Sequence, residues 1–299
     1  MSEVLKLLWG TLLLRPYVFT FLAVYIVAGC RHIGWKRTLA YIPVGYMLAW
    51  MSEFASIHWG FPYGDYFYIE STAGRELWVF GVPFMDSLSY VFLSYCSYSL
   101  AIFLLSPVSV SSGTLSVQET PLIRRSWQVL ILGAFVFVML DVIIDPVALL
   151  GERWFLGQIY GYRYEGFYFG IPMSNFGGWL IVGFVLMGAL QLLDRIPSPH
   201  SDAAPPAGQL SWLRLLGPIL YVSVLAFNIA VTFYLREMLL GIVGLLISAS
   251  LLVPMFFFTL YKGAKAAPRK LPSPSSEMEF DRSDPARTLQ AHSPEHPLN

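Results

Sequence analysis

Apolar runs about the length of a bilayer crossing recur along almost the whole 299-residue chain. About 20 mainly apolar residues carry a helix across the hydrocarbon core, and in lipid only a helix or a closed barrel satisfies every backbone N–H and C=O. The runs place spans at about 16–30, 38–54, 84–106, 127–146, 171–193, 212–234 and 238–261. The expected fold is therefore all-α, a polytopic membrane helix bundle of about seven transmembrane helices. Only 13% of the residues are charged, against about 25% in a soluble domain. Residues 4–14 (VLKLLWGTLLL) are too short to cross and suit the membrane interface. From about 262 the chain turns rich in Pro, Ser and charge, so a transmembrane domain over 1–261 is followed by a polar tail over 262–299, read as disordered.

Net charge is zero, which gives no reason to expect nucleic acid as a partner. The two cysteines, Cys30 and Cys96, form no CxxC pair, so neither a disulfide framework nor a zinc site is expected. Arg31, Lys36, Arg37, Arg124, Arg125, Arg195, Arg214 and the basic residues after span seven fall on one side of a seven-span chain. That side is expected to be cytoplasmic, with the N-terminus outside and the C-terminal tail inside. The stretch IVAGC, residues 26–30, resembles a lipoprotein cleavage box, but cleavage there would export the basic stretch that follows it, against the charge rule.

The two long outer loops repeat each other. One runs from Glu53 through GFPYGDYFY to FGVPF at 80–84; the other runs from Asp141 and Asp145 through YGYRYEGFY to FGIPM at 169–173. Both begin at an acidic helix end, and both helix pairs run the same way, which is a parallel internal repeat. Pro83 and Pro172 suit the first turn of the helices they open, and Gly81 and Gly170 suit a tight entry. Strongly aromatic loops of about 30 residues are unlike free loops. They are expected to fold into the bundle mouth as short amphipathic helices or re-entrant turns.

Asp141 and Asp145 lie four residues apart inside span four, on one helix face, directly before Pro146, where the helix is expected to bend or end. Carboxylates at membrane depth are rare and mark functional interiors. Two of them in a dry site are expected to share a proton, which makes a usable general acid. Glu53 is their counterpart in the first repeat. Asp86 and Asn175 stand at matching places early in spans three and five, where they suit holding water or a substrate group, or capping the helix. Asp65, Glu70, Glu76, Glu152 and Glu165 read as solvated loop acids, and His58 as structural. Aromatic residues are abundant, with 17 Tyr, 22 Phe and 9 Trp. Some belong to interfacial belts, and many also suit a pocket for a long apolar ligand. Five scattered His do not suit a di-iron site, and no Rossmann fingerprint or P-loop is present. The chemistry expected is acid–base work with no cofactor and no metal.

These motifs together, Glu53 with GFPYGDYFY, then FGVPFMDSLSY, LDVIIDPVA and YFGIPMSNFGGW, resemble the membrane carotenoid biosynthesis proteins that include the carotenoid 1′,2′-hydratases. The resemblance covers roughly residues 35–260. It implies a bacterial plasma-membrane enzyme that hydrates the ψ end of lycopene, γ-carotene or a similar acyclic end group. The partners it implies are the bilayer, a membrane-dissolved carotenoid and other enzymes of that pathway. It carries no residue roles. The residues themselves offer Asp141 and Asp145 as the acid and Glu53, with Asp86 or Asn175, to hold the water. Trp59, Tyr63, Tyr66, Tyr68, Tyr164, Tyr168 and Trp179 are expected to line the channel. A lycopene cyclase, an intramembrane prenyltransferase and a proton-coupled transporter are the alternatives.

Overall fold

The computed structural model describes residues 3–111, 114–154, 157–197 and 212–266. The chain is a membrane helix bundle with, among the described residues, six helices long and apolar enough to cross a bilayer. The first of these, Pro16–Trp59, has 44 residues, about 66 Å of helix and twice the hydrocarbon thickness. It folds back on itself. Helices α2 (Pro16–Gly29) and α3 (Trp35–Trp59) are joined by a π-helical turn at Cys30–Gly34, where Gly34 takes φ +92°. The Tyr25 hydroxyl donates to the carbonyl of Thr38 at 2.7 Å, although a straight helix would hold those residues about 20 Å apart. This one helix therefore supplies the first two of the expected spans.

The other helices are α1 (Glu3–Leu14), α4 (Phe84–Leu105), a single turn α5 (Pro121–Arg124), α6 (Trp127–Ala148), α7 (Met173–Leu193), α8 (Leu216–Tyr234) and α9 (Met238–Ala266). The polar tail expected over 262–299 lies, from residue 267, outside the described residues. Helix α4 is the axis of the bundle and packs against α2, α3, α6, α7, α8 and α9. Its sequence, FMDSLSYVFLSYCSYSLAIFLL, carries too many hydroxyls for a lipid-facing helix, and nearly all of it is buried. Several of those hydroxyls find protein partners: Ser94 meets the Tyr41 hydroxyl at 2.6 Å, and Ser97 donates to the carbonyl of Leu93 at 2.8 Å, whereas Ser87 Oγ is buried without one. Pro146 lies near the end of α6, which runs on only to Ala148; with no N–H to give the carbonyl of Val142, it disturbs the turn before it.

The described residues also form six short strands: β1 (Tyr66–Tyr68), β2 (Trp78–Val79), β3 (Val82–Pro83), β4 (Val108–Ser111), β5 (Thr114–Val117) and β6 (Tyr160–Tyr162). The long loops do not form the expected amphipathic helices. They pair with each other, β1 antiparallel to β6 in the register Tyr66↔Tyr162, Tyr68↔Tyr160. Each loop thus satisfies the other's backbone polar groups at the bundle mouth. The FG(V/I)P repeats are two-residue hairpin turns. Phe80 and Gly81 take φ +49° and +81° between paired Val79 and Val82; Phe169 and Gly170 take +47° and +88° between bridged Tyr168 and Ile171. Positive φ at both central residues matches the right-handed twist of a hairpin. Pro83 and Pro172 then stand at the N-caps of α4 and α7. The sequence repeat is a backbone repeat.

Ion pairs anchor both loops. Arg15, at the α1–α2 corner, holds Glu76 with Nη2–Oε1 at 2.9 Å, both side chains fully buried. Glu76 is therefore a buried clamp rather than a solvated loop acid. Arg153 pairs with Glu237 and donates to the carbonyl of Leu235 at 2.7 Å, tying the second loop to the α8–α9 turn. At the opposite end of the bundle Asp194 gathers Arg37 (3.0 Å), Arg124 (3.1 Å) and Arg125 (2.8 Å), three arginines read onto one membrane side.

Candidate active site

The four helices of the repeat, α3, α4, α6 and α7, bring four carboxyl groups together under the paired strands. Glu53 arrives from the last turns of α3, Asp86 from the first turn of α4, and Asp141 and Asp145 from the end of α6. Glu53 is 4% exposed and Asp141 fully buried.

Tyrosine hydroxyls hold the cluster. Glu53 accepts from Tyr90 on Oε1, and from Tyr66 and Tyr68 (3.0 Å) on Oε2. The Tyr68 hydroxyl also reaches Asp86 Oδ2, so one phenol bridges two acids. Asp145 accepts from Tyr160 on Oδ1 at 2.8 Å and from Tyr162 on Oδ2 at 2.9 Å. The Asn175 amide nitrogen donates to Oδ2 of both Asp141 and Asp145, at 2.8 Å each. Asp141 Oδ1, buried, has no partner. Burial first, then the neighbouring carboxyls, pushes the Tyr68, Tyr160 and Tyr162 phenols well above the usual tyrosine range. They stay protonated and act as donors. The donors are unequally shared: Asp145 and Glu53 take three each, whereas Asp86 takes one phenol and Asp141 one amide.

The repeat orders this arrangement. Asp86 and Asn175 each stand three residues after the N-cap proline, and Tyr90 and Trp179 each seven after it. Tyr90 and Trp179 stack with centroids 4.8 Å apart and planes 21° apart.

Two cavities meet at the cluster. The polar one is walled by Glu53, Tyr63, Tyr66, Tyr68, Tyr162 and Asn175. The apolar one runs down between α2, α4 and α8, past Phe21, Phe92 and Phe227. Asp86, Tyr90, Asp145, Tyr160 and Trp179 belong to the walls of both.

Of the residues singled out in the sequence, Glu53, Tyr63, Tyr66, Tyr68, Asp86, Asp141, Asp145, Asn175 and Trp179 come together here. Trp59 and Tyr164 lie outside the cluster, 73% and 76% exposed. Tyr168 walls a separate small cavity with Val142, Ile143 and residues of α8 and α9. His58 stacks on Phe54 and hydrogen-bonds the carbonyl of that residue on its own helix, outside the site. Sequence reasoning missed Tyr90, Tyr160 and Tyr162. The signal for the last two was YGY in the second loop, the echo of YFY in the first. Among the described residues no group of three or more His, Cys, Asp or Glu is arranged to hold a metal ion.

Fold and site together define a polytopic membrane protein with a buried carboxyl–tyrosine centre open to an apolar channel. The model of the family described as carotenoid biosynthesis protein matches residues 12–251, most of the chain, and the chain belongs to that family. No curated protein and no solved structure matches.

Proposed function

We propose that the chain is a carotenoid 1′,2′-hydratase, adding water across the terminal double bond of an acyclic carotenoid end group to give a tertiary alcohol. The observation that carries this reading is the junction of a polar cavity with an apolar one at Asp86 and Asp145. Hydration needs a hydrocarbon and a water to meet at an acid, and each cavity suits one of them.

In this mechanism the Asp141–Asp145 pair carries one proton. Asp145, the member that walls both cavities, gives it to C2′ of the alkene, and the π electrons form the new C–H bond. The carbon left electron-poor is the tertiary C1′. Tyr160, Tyr162 and Asn175 already point at the carboxylate that forms on Asp145, so its charge is met by donors set in advance. The stacked rings of Tyr90 and Trp179, in the wall of both cavities, border the cation. A water held by Glu53 and Asp86 attacks C1′ and loses a proton to that pair. The Tyr68 bridge and the pool of four carboxyls return the proton to the Asp141–Asp145 pair, and atoms and charge balance. The polar cavity favours this outcome over cyclisation, in which an internal alkene, not water, captures the cation.

The test is pigment extraction and mass spectrometry from lycopene-producing cells. Wild type is expected to yield a product 18 mass units above lycopene. Asp141→Asn and Asp145→Asn are expected to lower that yield on the order of 10²–10⁴-fold, the usual share of general acid catalysis, while the protein still inserts. An isomer of lycopene in place of the hydrated product supports a cyclase; normal hydration by both variants overturns the reading. The plasma membrane as the site and the cytoplasm as the side of the C-terminus belong to this proposal. Reporter fusions at the two termini check the second.

A further inference from the structure

The apolar cavity is walled by α2, α4, the end of α6 and α8. Along α4 it runs from Met85 to Leu93, about 12 Å of helix, far shorter than a C40 polyene. Its upper end is closed. Trp154, Ile159 and Tyr160 cover it. The Trp154 indole donates to the carbonyl of Val147 at 3.1 Å, and Arg153 fastens the same loop to Glu237 and Leu235. Its floor is the buried central helix. What remains is the seam between α2 and α8, crossed by three rings. Tyr17 stacks on Phe227 at 5.6 Å, and Phe21 meets Phe227 edge-on at 5.8 Å. All three rings are half-buried, facing the cavity on one side. A larger apolar groove lies between α4, α8 and α9 around Leu100, Phe103 and Phe256. Leu100 is 14 residues along α4 from Asp86, about 21 Å, and none of the four acids walls that groove.

We propose that the cavity is the binding subsite for the isoprenoid segment next to the reacting end, and that the α2–α8 seam, with Phe227 as its positioning residue, is where a linear polyene enters from and trails back into the bilayer. The inference rests on the hydrocarbon substrate proposed above. Only the end of the molecule is enclosed. The dimethyl terminus reaches Asp145, the next carbons lie against Phe92 and Phe227, and the rest stays in lipid.

The experiment places p-benzoylphenylalanine at Phe227 or at Phe257, the latter an exposed residue of the rival groove, in the full chain in lycopene-containing vesicles. Illumination is expected to give a lycopene adduct at position 227 in several-fold higher yield than at position 257. A yield at 227 no greater than at 257 overturns the proposal. In parallel, Phe227→Trp, which narrows the seam, is expected to raise KM for lycopene several-fold with kcat and product unchanged. A fall in kcat alone at unchanged KM counts against an entry role. The two readings fail separately. Hydration of lycopene by wild type, with no excess adduct from the position-227 variant, sinks the seam and leaves the hydratase. Excess adduct from that variant, with no hydrated product from wild type, sinks the hydratase and leaves the subsite.

Discussion

At the scale of the residue, Tyr68 does the most with one atom. Its hydroxyl touches Glu53 and Asp86 together and joins the two acids that belong to the first repeat. Tyr68→Phe keeps the ring and its edge contact with Trp78 but removes that bridge. The expected loss is about one hydrogen bond to a charged group, ~1.4 kcal/mol, or about tenfold in turnover, measured as hydrated product per unit of inserted protein. The acids were legible in the sequence because carboxyl groups inside apolar runs have few other uses. Tyr90, Tyr160 and Tyr162 were not. In a chain with 17 tyrosines, nothing local separates a phenol that meets a carboxylate from one that sits in an interfacial belt. Trp59 and Tyr164 show the same limit: they are near the cluster in sequence and are exposed.

At the scale of the element, the duplicated hairpin turns set where α4 and α7 begin, and so set Asp86 and Asn175. Gly81→Ala and Gly170→Ala each force a Cβ into the left-handed region. At Gly81 the nearest atom to that Cβ is Ile57 Cδ1 at 3.6 Å, so crowding is not the issue and the cost is in the backbone. Each is expected to destabilise by about 1–2 kcal/mol, read as a lower melting temperature in detergent. A variant at either site that melts like wild type would show that the turn is not held. The repeat itself was legible, because FG(V/I)P returns at the same place after each acidic helix end. The loop structure was not. Strands of three residues leave almost no periodicity, and β1 forms only because β6, about 90 residues later, lies beside it.

At the scale of the whole molecule, buried ionic clusters tie the helix ends on the face away from the site. There Glu119 meets His32 Nε2 at 2.9 Å and Arg214 Nη1 at 3.6 Å. Burial alone would push the Glu119 carboxyl up; His32, Arg214 and Arg124 together outweigh it and hold the group below the usual glutamate range. A carboxyl depressed by folding adds stability above its unfolded pKa, and the contribution is lost as pH falls through the folded value. Glu119→Gln is therefore expected to melt below wild type at pH 7, with the gap closing as pH falls below about 4.3, the unperturbed glutamate value. A gap that stays constant across that range would mean the effect is not the charge. The long apolar helices were readable from hydropathy: about seven spans were expected and six helices among the described residues are long and apolar enough to cross, the first of them 44 residues long and folded back on itself. The α2–α8 corridor was not, since it exists only once four helices distant in sequence meet.

The repeat of α3–α4 in α6–α7 would by itself offer two equivalent approaches to the centre. Helices α2, α8 and α9 pack on α4 and α6, whereas α3 and α7 leave Met47, Met51, Ile181 and Val185 exposed. On the proposal above, the protein takes its polyene through the α2–α8 seam alone. Under the proposed chemistry it is not processive: a polyene with two open ends has to leave, turn over and re-enter before its second end reacts. A time course on lycopene should then show the singly hydroxylated product rise and pass through a maximum before the doubly hydroxylated one appears.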